Sequence, residues 1–257
     1  MIVLNEKVDL YLKRIGADVK EGDPLDGETL KKIQYAHVTA VPYENLDILD
    51  GIPLSYDYGR LFGKIVTGRR GGYCFELNGL YAWLLREMGF EVQEFMARYL
   101  RGETEIPMRR HRVLKVLAEG RYYLCDVGVG AVAPRYPIIL EDGLEQPQFG
   151  ETYKMRKDSF FGRVLTELHG GGWRDVFGFT EEPQLNIDYI MPSFYCEKHA
   201  DSIFNKENMI AIKTETGRKT LDGNVFKIFE GENLVECREL RAGEINECLY
   251  SHFGIQK

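Results

Sequence analysis

Cysteine is scarce in this chain of 257 residues and forms no framework. Its five cysteines, Cys74, Cys125, Cys196, Cys237 and Cys248, are odd in number, widely spaced and never arranged as C-x-x-C. That pattern argues against a disulfide scaffold and against a zinc site, so no metal is expected and the thiols are read as reduced. Long apolar runs are missing too: none approaches the roughly 18 residues of a membrane span. The opening Met1-Ile2-Val3-Leu4-Asn5-Glu6-Lys7-Val8 has no charged segment followed by an apolar one, and the expectation is a cytoplasmic protein that does not engage a membrane. Basic residues cluster only as short pairs such as Arg69-Arg70 and Arg109-Arg110 within a net charge of −7, which argues against nucleic acid as a partner. Internal repeats and low-complexity tracts are absent. What is present is ordinary globular composition, 44% hydrophobic and 12% aromatic, long enough for one large domain or two to three small ones.

Periodicity changes twice along the chain. Over residues 1–89 it is helical: Val8 to Ile15 ends at Gly16, and Asp26 to His37 forms a second helix stopped before Pro42. Over residues 90–182 short alternating strands are separated by turn signals at Glu119-Gly120, Asp142-Gly143 and Gly170-Gly171-Gly172, the pattern of an antiparallel sheet or barrel. Residues 183–257 are mixed, with a helical stretch around Ile187 to Cys196, strands turning at Thr216-Gly217, Asp222-Gly223 and Gly231-Glu232-Asn233, and a last helix near Glu244 to Phe253. Helices first, strands next and a mixed tail predict an α+β fold. Gly128-Val129-Gly130-Ala131-Val132-Ala133 matches G-x-G-x-x-A, but Pro134 and Pro137 stand where a dinucleotide-binding helix would begin, so that fold is rejected.

One cysteine stands apart by position. Cys74 follows Arg69-Arg70-Gly71-Gly72-Tyr73 and opens a segment in which Leu77, Leu80, Tyr81, Leu84, Leu85 and Met88 form one apolar stripe, with Gly89 beyond it as a stop. A thiol at a helix N-terminus sits among unpaired N–H groups and the positive end of the dipole, which favours the thiolate. The expectation is a pKa lowered from roughly 8.5 into the range of about 3.5–7.5, and a cysteine nucleophile. The competing reading is a small buried hydrophobe.

A nucleophilic cysteine needs a base and a group that orients the base. A two-residue turn at Glu119-Gly120 would pair Ala118 with Arg121 and Val113 with Asp126 across a hairpin. Because strand side chains alternate, His111 and Asp126 then share a face as diagonal neighbours, within reach of each other. A one-residue slip would send Asp126 to the opposite face. Read singly, His111 is an ordinary strand histidine and Asp126 a strand-end carboxylate; together they complete a Cys74-His111-Asp126 triad.

These residues resemble the arylamine N-acetyltransferase family. Arg70-Gly71-Gly72-Tyr73-Cys74-Phe75-Glu76-Leu77-Asn78 is similar to its nucleophile motif, His111-Arg112 to its histidine strand, Asp126-Val127-Gly128-Val129-Gly130 to its aspartate segment, and Val41-Pro42-Tyr43-Glu44-Asn45-Leu46-Asp47 to a further signature. Gly172-Trp173, Gly217-Arg218-Lys219-Thr220-Leu221 and Phe253-Gly254-Ile255 extend the likeness over nearly the whole chain. The resemblance implies a helical bundle, an antiparallel β-barrel and a C-terminal α/β lid, the first two sharing the cysteine catalytic core of papain-like and transglutaminase-like enzymes. It implies acetyl-coenzyme A as donor, aromatic amines or hydrazines as acceptors, and O-acetylation of N-hydroxyarylamines. Tyr43 stands where phenylalanine is usual, Val129 where an aromatic residue is usual and Arg110 where threonine often precedes the histidine, and the segment from His199 to Phe204 lacks a common proline. Tyr43, Val129 and Phe204 are therefore the candidates for lining the acceptor pocket, with Tyr43 and Phe204 as plain core aromatics the alternative. The rival functions are a related acyltransferase that closes amides in biosynthesis, a papain-like or transglutaminase-like hydrolase, and a binding protein without chemistry.

Overall fold

Capping side chains start the first helices. The computed structural model describes residues 1–256. In it α1 (Glu6–Ile15) begins where Asn5 accepts a hydrogen bond from the Val8 N–H at 3.0 Å. Helix α2 (Gly27–Ala40) begins under Asp26, which accepts from the Thr29 N–H at 2.8 Å, and runs past His37 before the chain reaches Pro42. Two short helices that the periodicity does not announce, α3 (Leu46–Leu49) and α4 (Tyr58–Phe62), lead through a π-helical turn at Gly63–Thr67 to α5 (Cys74–Glu87). The apolar stripe of α5 is wholly enclosed, in one core with Val8 and Tyr11 of α1 and Leu30 and Ile33 of α2. Burying each such leucine contributes roughly 1.5–3 kcal/mol, enough to fix the face that α5 turns inward.

Eight antiparallel strands follow: β1 (Glu91–Tyr99), β2 (Arg109–Ala118), β3 (Arg121–Cys125), β4 (Ile138–Ile139), β5 (Gln146–Gln148), β6 (Glu151–Asp158), β7 (Gly162–His169) and β8 (Gly172–Phe179). Their order β4-β3-β2-β1-β8-β7-β6-β5 makes a nearly closed barrel. Side-chain amides bridge its open seam. Gln146 accepts from the Ile139 N–H at 2.8 Å and donates to the Ile139 carbonyl at 3.0 Å, and Gln148 does the same to Tyr136 at 2.8 and 3.0 Å. Alternate residues of β5 thus satisfy an edge that would otherwise stand open. Phe95, Val113, Leu124, Tyr153, Leu165 and Phe177 fill the barrel, while Leu114 and Val116 on the other face of β2 join the helical core.

The β2–β3 hairpin has the expected register, from Ala118 opposite Arg121 to Leu114 opposite Cys125. Its two turn residues, Glu119 and Gly120, have φ of 53° and 73°, the left-handed pair that matches strand twist.

A 3-10 turn at Asn186–Tyr189 leads into α6 (Ile190–Lys198). A second antiparallel sheet, ordered β12-β11-β10-β9, is built from β9 (Met209–Lys213), β10 (Gly217–Asp222), β11 (Val225–Glu230) and β12 (Asn233–Glu239). Helix α7 (Ile245–Phe253) packs Leu249 and Phe253 onto it, together with Ile210, Leu221 and Phe226. This sheet is tied back to the rest of the chain through its backbone and through ion pairs. Tyr43 and Ala211 exchange backbone hydrogen bonds of 2.9 and 3.0 Å, and the Glu151 carboxylate of β6 receives both Lys213 and Arg135 at 2.6 Å. The architecture is α+β, and among the described residues no helix is long and apolar enough to cross a membrane.

Candidate functional site

Glycine and a buried carboxylate deliver Cys74 to its helix start. A Cβ on Gly71 would lie 2.1 Å from the Pro42 carbonyl oxygen, so only glycine lets the loop pass there. Glu76, in the first turn of α5, accepts from the Tyr73 N–H at 2.9 Å, and Lys64 holds both of its oxygens at 2.9 Å. Arg70, just upstream, is paired with Glu44 at 2.8 Å and with Asp47 at 2.9 Å. The Cys74 thiol, almost completely buried, lies 3.7 Å from the Arg110 carbonyl of β2, which it faces as a donor.

His111 and Asp126 meet on one face, as the hairpin parity requires. His111 Nε2 is 2.6 Å from Asp126 Oδ2, and both side chains are buried. The other carboxylate oxygen, Oδ1, accepts from Asn78 Nδ2 and from the Gly128 N–H, each at 2.8 Å. Asn78 lies one helical turn after Cys74 on α5, so the same helix that carries the thiol orients the carboxylate. It also donates to the Arg112 carbonyl at 2.6 Å and accepts from the Val127 N–H at 2.9 Å, which leaves little freedom in its own rotamer. Gly128 is required by closeness: a Cβ there would fall 2.8 Å from Asn78 Nδ2 and 2.9 Å from Cys74 Cα.

A β-bulge shapes the rim. Along β1 and β2 the pairing steps from Ala97 opposite His111 to Arg98 opposite Arg109, so Arg110 is the extra residue. Ordinary alternation would turn Arg110 and His111 to opposite faces; with the bulge both line one cavity of about 410 Å³. Cys74 lines it as well, as do Tyr43, Val129 and Phe204, while Asp126 stays behind His111. The Arg110 guanidinium lies 5.5 Å above the Phe204 ring and is hydrogen-bonded to Glu103 at 3.1 Å. The segment with dinucleotide-like glycines forms a loop with a 3-10 turn at Gly130–Val132 that walls the same cavity. Such a volume falls in the range of about 300–1,000 Å³ usual for small-molecule sites.

The electrostatics depart from the expectation drawn from the helix start. Burial pushes the Cys74 thiol well up, and nearby Cys196 and Asp126 add to that, outweighing the opposing influence of the polar groups around it. Sequence position locates the dipole but not the depth of burial, and depth dominates here.

Several members of the site carry no clear sequence signal of their role. Asn78 interrupts an apolar helix, and a buried amide on that face is the one clue. Gln34 of α2 accepts from the Asp126 N–H at 3.3 Å and donates to the Pro134 carbonyl at 2.9 Å, a contact between residues far apart in the chain. Cys196 of α6 accepts a 3.2 Å hydrogen bond from the Tyr73 hydroxyl. Among the described residues no group of three or more His, Cys, Asp or Glu side chains is placed to hold a metal.

Comparison with known proteins bears on what this cavity belongs to. A family model described as N-acetyltransferase matches residues 26–256. The arylamine N-acetyltransferase of Mycolicibacterium smegmatis is 35% identical over 252 residues, covering 95% of this chain and 90% of that one. The solved arylamine N-acetyltransferase of Salmonella typhimurium superposes with a TM-score of 0.93 at 28% identity, covering 98% of this chain and 92% of that one. The Mycobacterium marinum arylamine N-acetyltransferase solved in complex with CoA gives a TM-score of 0.89 at 30% identity, covering 96% of this chain and 92% of that one. Sequence and fold agree along almost the full length, and the chain belongs to the arylamine N-acetyltransferase family.

Proposed function

We propose that the chain transfers an acetyl group from acetyl-coenzyme A to aromatic amines and hydrazines, through a thioester on Cys74. The observation that carries this reading is the joint lining of one cavity by Cys74 and His111, with Asp126 held 2.6 Å behind the imidazole. Nε2 of His111 is committed to Asp126, so Nδ1 is the nitrogen that takes the thiol proton. The resulting thiolate attacks the thioester carbonyl, and N–H groups at the start of α5 face the developing oxyanion. The carbon–sulfur bond to coenzyme A breaks, the departing sulfur takes the proton from His111, and acetyl-Cys74 remains. One thioester has replaced another, so the step is close to neutral in energy.

The acceptor amine then attacks acetyl-Cys74. His111 takes its proton, Cys74 leaves as thiolate, and transfer of that proton to the Cys74 sulfur restores the resting thiol and closes the cycle. Aryl amines suit this half-reaction because their low basicity leaves the lone pair free near pH 7, where most alkyl amines are protonated. Tyr43, Val129 and Phe204 bring one hydroxylated ring, one aliphatic side chain and one phenyl ring to the cavity and are proposed to hold the acceptor. N-hydroxyarylamines would accept acetyl on oxygen by the same route.

The test is incubation with acetyl-coenzyme A alone, followed by mass spectrometry of the intact chain and of its peptides. One acetyl group on Cys74, discharged by an aromatic amine faster than by water, is expected. Acetylation elsewhere, or hydrolysis that outruns every amine, overturns the reading.

A further inference from the structure

The bulge in β2 puts a cation beside the sulfur. Arg110 is the extra residue there; its carbonyl oxygen lies 3.7 Å from the Cys74 sulfur, and its side chain lines the same cavity as His111 instead of the opposite face of the strand. The guanidinium lies 5.5 Å from the centre of the Phe204 ring, and that ring packs edge-on at 4.9 Å against Tyr73, the residue before Cys74. Among the described residues its one hydrogen-bond partner is Glu103 of the β1–β2 loop, which Nη2 reaches at 3.1 Å. A guanidinium carries five N–H donors in a fixed fork, so most of its capacity is unused. The Arg110 side chain is only 15% exposed, and a second carboxylate is held more strongly there than at an open surface. The other arginine lining the cavity, Arg101, is paired with Glu167, and Asp222 stands with Thr220 at the end where a neighbouring hollow shares Ala131 and Val132.

We propose that Arg110 is a specificity residue for the acyl group, and that besides acetyl the site takes acyl thioesters of coenzyme A that end in a carboxylate, such as malonyl or succinyl. The inference rests on the reading of Cys74 as nucleophile. The planar fork of a guanidinium matches a carboxylate with two parallel hydrogen bonds. Once on Cys74, an acyl chain stays tied to the sulfur that the Arg110 backbone touches. The coenzyme phosphates are a whole pantetheine arm away from the thioester, and the substituents of an acceptor lie beyond its reacting nitrogen. The acyl chain is therefore the part of the substrates that Arg110 meets first. The bond changes are those of acetyl transfer: the Cys74 thiolate adds to the thioester carbonyl, the carbon–sulfur bond to coenzyme A breaks, and the departing sulfur takes the His111 proton. The amine then displaces Cys74, its proton passes through His111 to the sulfur, and the product is an amide that keeps a free carboxylate. Glu103 competes for the same guanidinium from the loop and keeps it paired until the acyl carboxylate arrives.

The experiment compares malonyl-CoA with isovaleryl-CoA, whose acyl group has the same branched outline but ends in methyl groups where malonyl has oxygens. Acylation of Cys74 is followed by single-turnover mass spectrometry, and kcat/KM by transfer to aniline. The parent is expected to favour malonyl by about tenfold or more, the scale of a charge-assisted hydrogen bond. Arg110→Gln should erase that preference, Arg110→Lys should keep part of it, and Glu103→Gln, which weakens the competitor, should raise it. Each ratio is taken within one variant, so a general loss of activity cancels. A parent that favours isovaleryl, or a ratio that Arg110→Gln leaves unmoved, overturns the proposal. If Arg110→Gln fails to fold, the direction of the Glu103→Gln change decides alone. A second arm uses acetyl-CoA with 4-aminobenzoate against 4-aminobenzamide; if Arg110→Gln moves this ratio and not the donor ratio, the guanidinium serves the acceptor and the proposal falls. A parent chain that acetyl-CoA does not label at Cys74 refutes the nucleophile assignment; a labelled parent that does not discriminate between the two donors refutes the role of Arg110 only.

Discussion

Replacing Asp126 by asparagine changes one atom and should remove most of the activity. The carboxylate Oδ1 accepts from Asn78 Nδ2 and the Gly128 N–H, both at 2.8 Å, and Oδ2 faces His111 Nε2 at 2.6 Å. The asparagine oxygen keeps the first two donors, so its NH2 group is forced toward Nε2. An NH2 group only donates. The imidazole must therefore accept at Nε2 and carry its proton on Nδ1, the position that has to be empty to take the thiol proton. In a serine protease the same exchange costs about 10⁴-fold through the wrong tautomer, and roughly 10³–10⁴-fold is expected here. Stability should change far less. All three hydrogen bonds persist but lose their charge assistance, while the desolvation of a buried carboxylate is relieved at the same time. The assay is the rate of Cys74 acetylation by acetyl-coenzyme A in single-turnover mass spectrometry, with thermal unfolding run alongside. A folded Asp126→Asn variant that acetylates within tenfold of the parent would show that the imidazole does not depend on this carboxylate.

Four further outcomes are expected. Cys74→Ala should fold and lose both acetylation and turnover, and any residual amine acetylation above the solution rate, measured by chromatography, counts against the covalent route. Because burial pushes the Cys74 thiol up, its labelling by iodoacetamide should still rise with pH beyond roughly 8.5, where an ordinary thiol levels off, and a rate already flat above neutrality would show that the resting thiol has passed its proton to His111. Gly128→Ala forces a methyl group to within 3.0 Å of the Cys74 carbonyl oxygen and closer to its Cα; a loss of about 1–3 kcal/mol in urea unfolding is expected, with activity falling at least tenfold as the carboxylate loop is displaced. His37, fully buried and hydrogen-bonded to the Tyr11 hydroxyl at 2.8 Å, has its pKa pushed down from 6.5 to about 3, chiefly by burial. Between those values the unfolded chain binds a proton that the folded chain refuses, so stability falls as pH drops through the window, by up to about 1.4 kcal/mol per unit. His37→Gln should flatten that dependence between pH 6.5 and 4 in urea titrations, and an unchanged slope would refute the assignment.

What could be read from the sequence was local, or depended on parity. The β2–β3 register follows from two turn residues, and with it the shared face of His111 and Asp126. The burial of Leu77 to Met88 follows from helical spacing. The bulge that turns Arg110 into the cavity could not be seen, because it is a property of how β1 and β2 match, and neither strand alone carries a signal for it. The seam closure by Gln146 and Gln148 is hidden for the same reason: a glutamine in an edge strand looks like an exposed polar residue until its partner backbone is known. Cys196 is 123 residues from Tyr73, and nothing in the sequence around either points to the other. Tyr43 and Phe204, which composition alone would place equally well in a core, sit at a boundary: they pack on buried Tyr73 and also line the cavity.

Depth of burial is also where the proposed chemistry meets its main physical opposition. A lone thiolate at Cys74 is disfavoured because the site is shut off from water. Moving the proton only as far as His111, however, leaves the net charge of the pocket unchanged, so the penalty is that of a neutral ion pair rather than of an isolated anion. The surroundings then need only favour one orientation of that pair. At the sulfur end the positive terminus of α5 does so; at the imidazole end Asp126 does, itself fixed by Asn78 and the Gly128 N–H. Because α5 supplies both the dipole and Asn78, the two ends are aligned by one rigid element. Low dielectric, which makes a single charge costly, strengthens each of these aligned contacts.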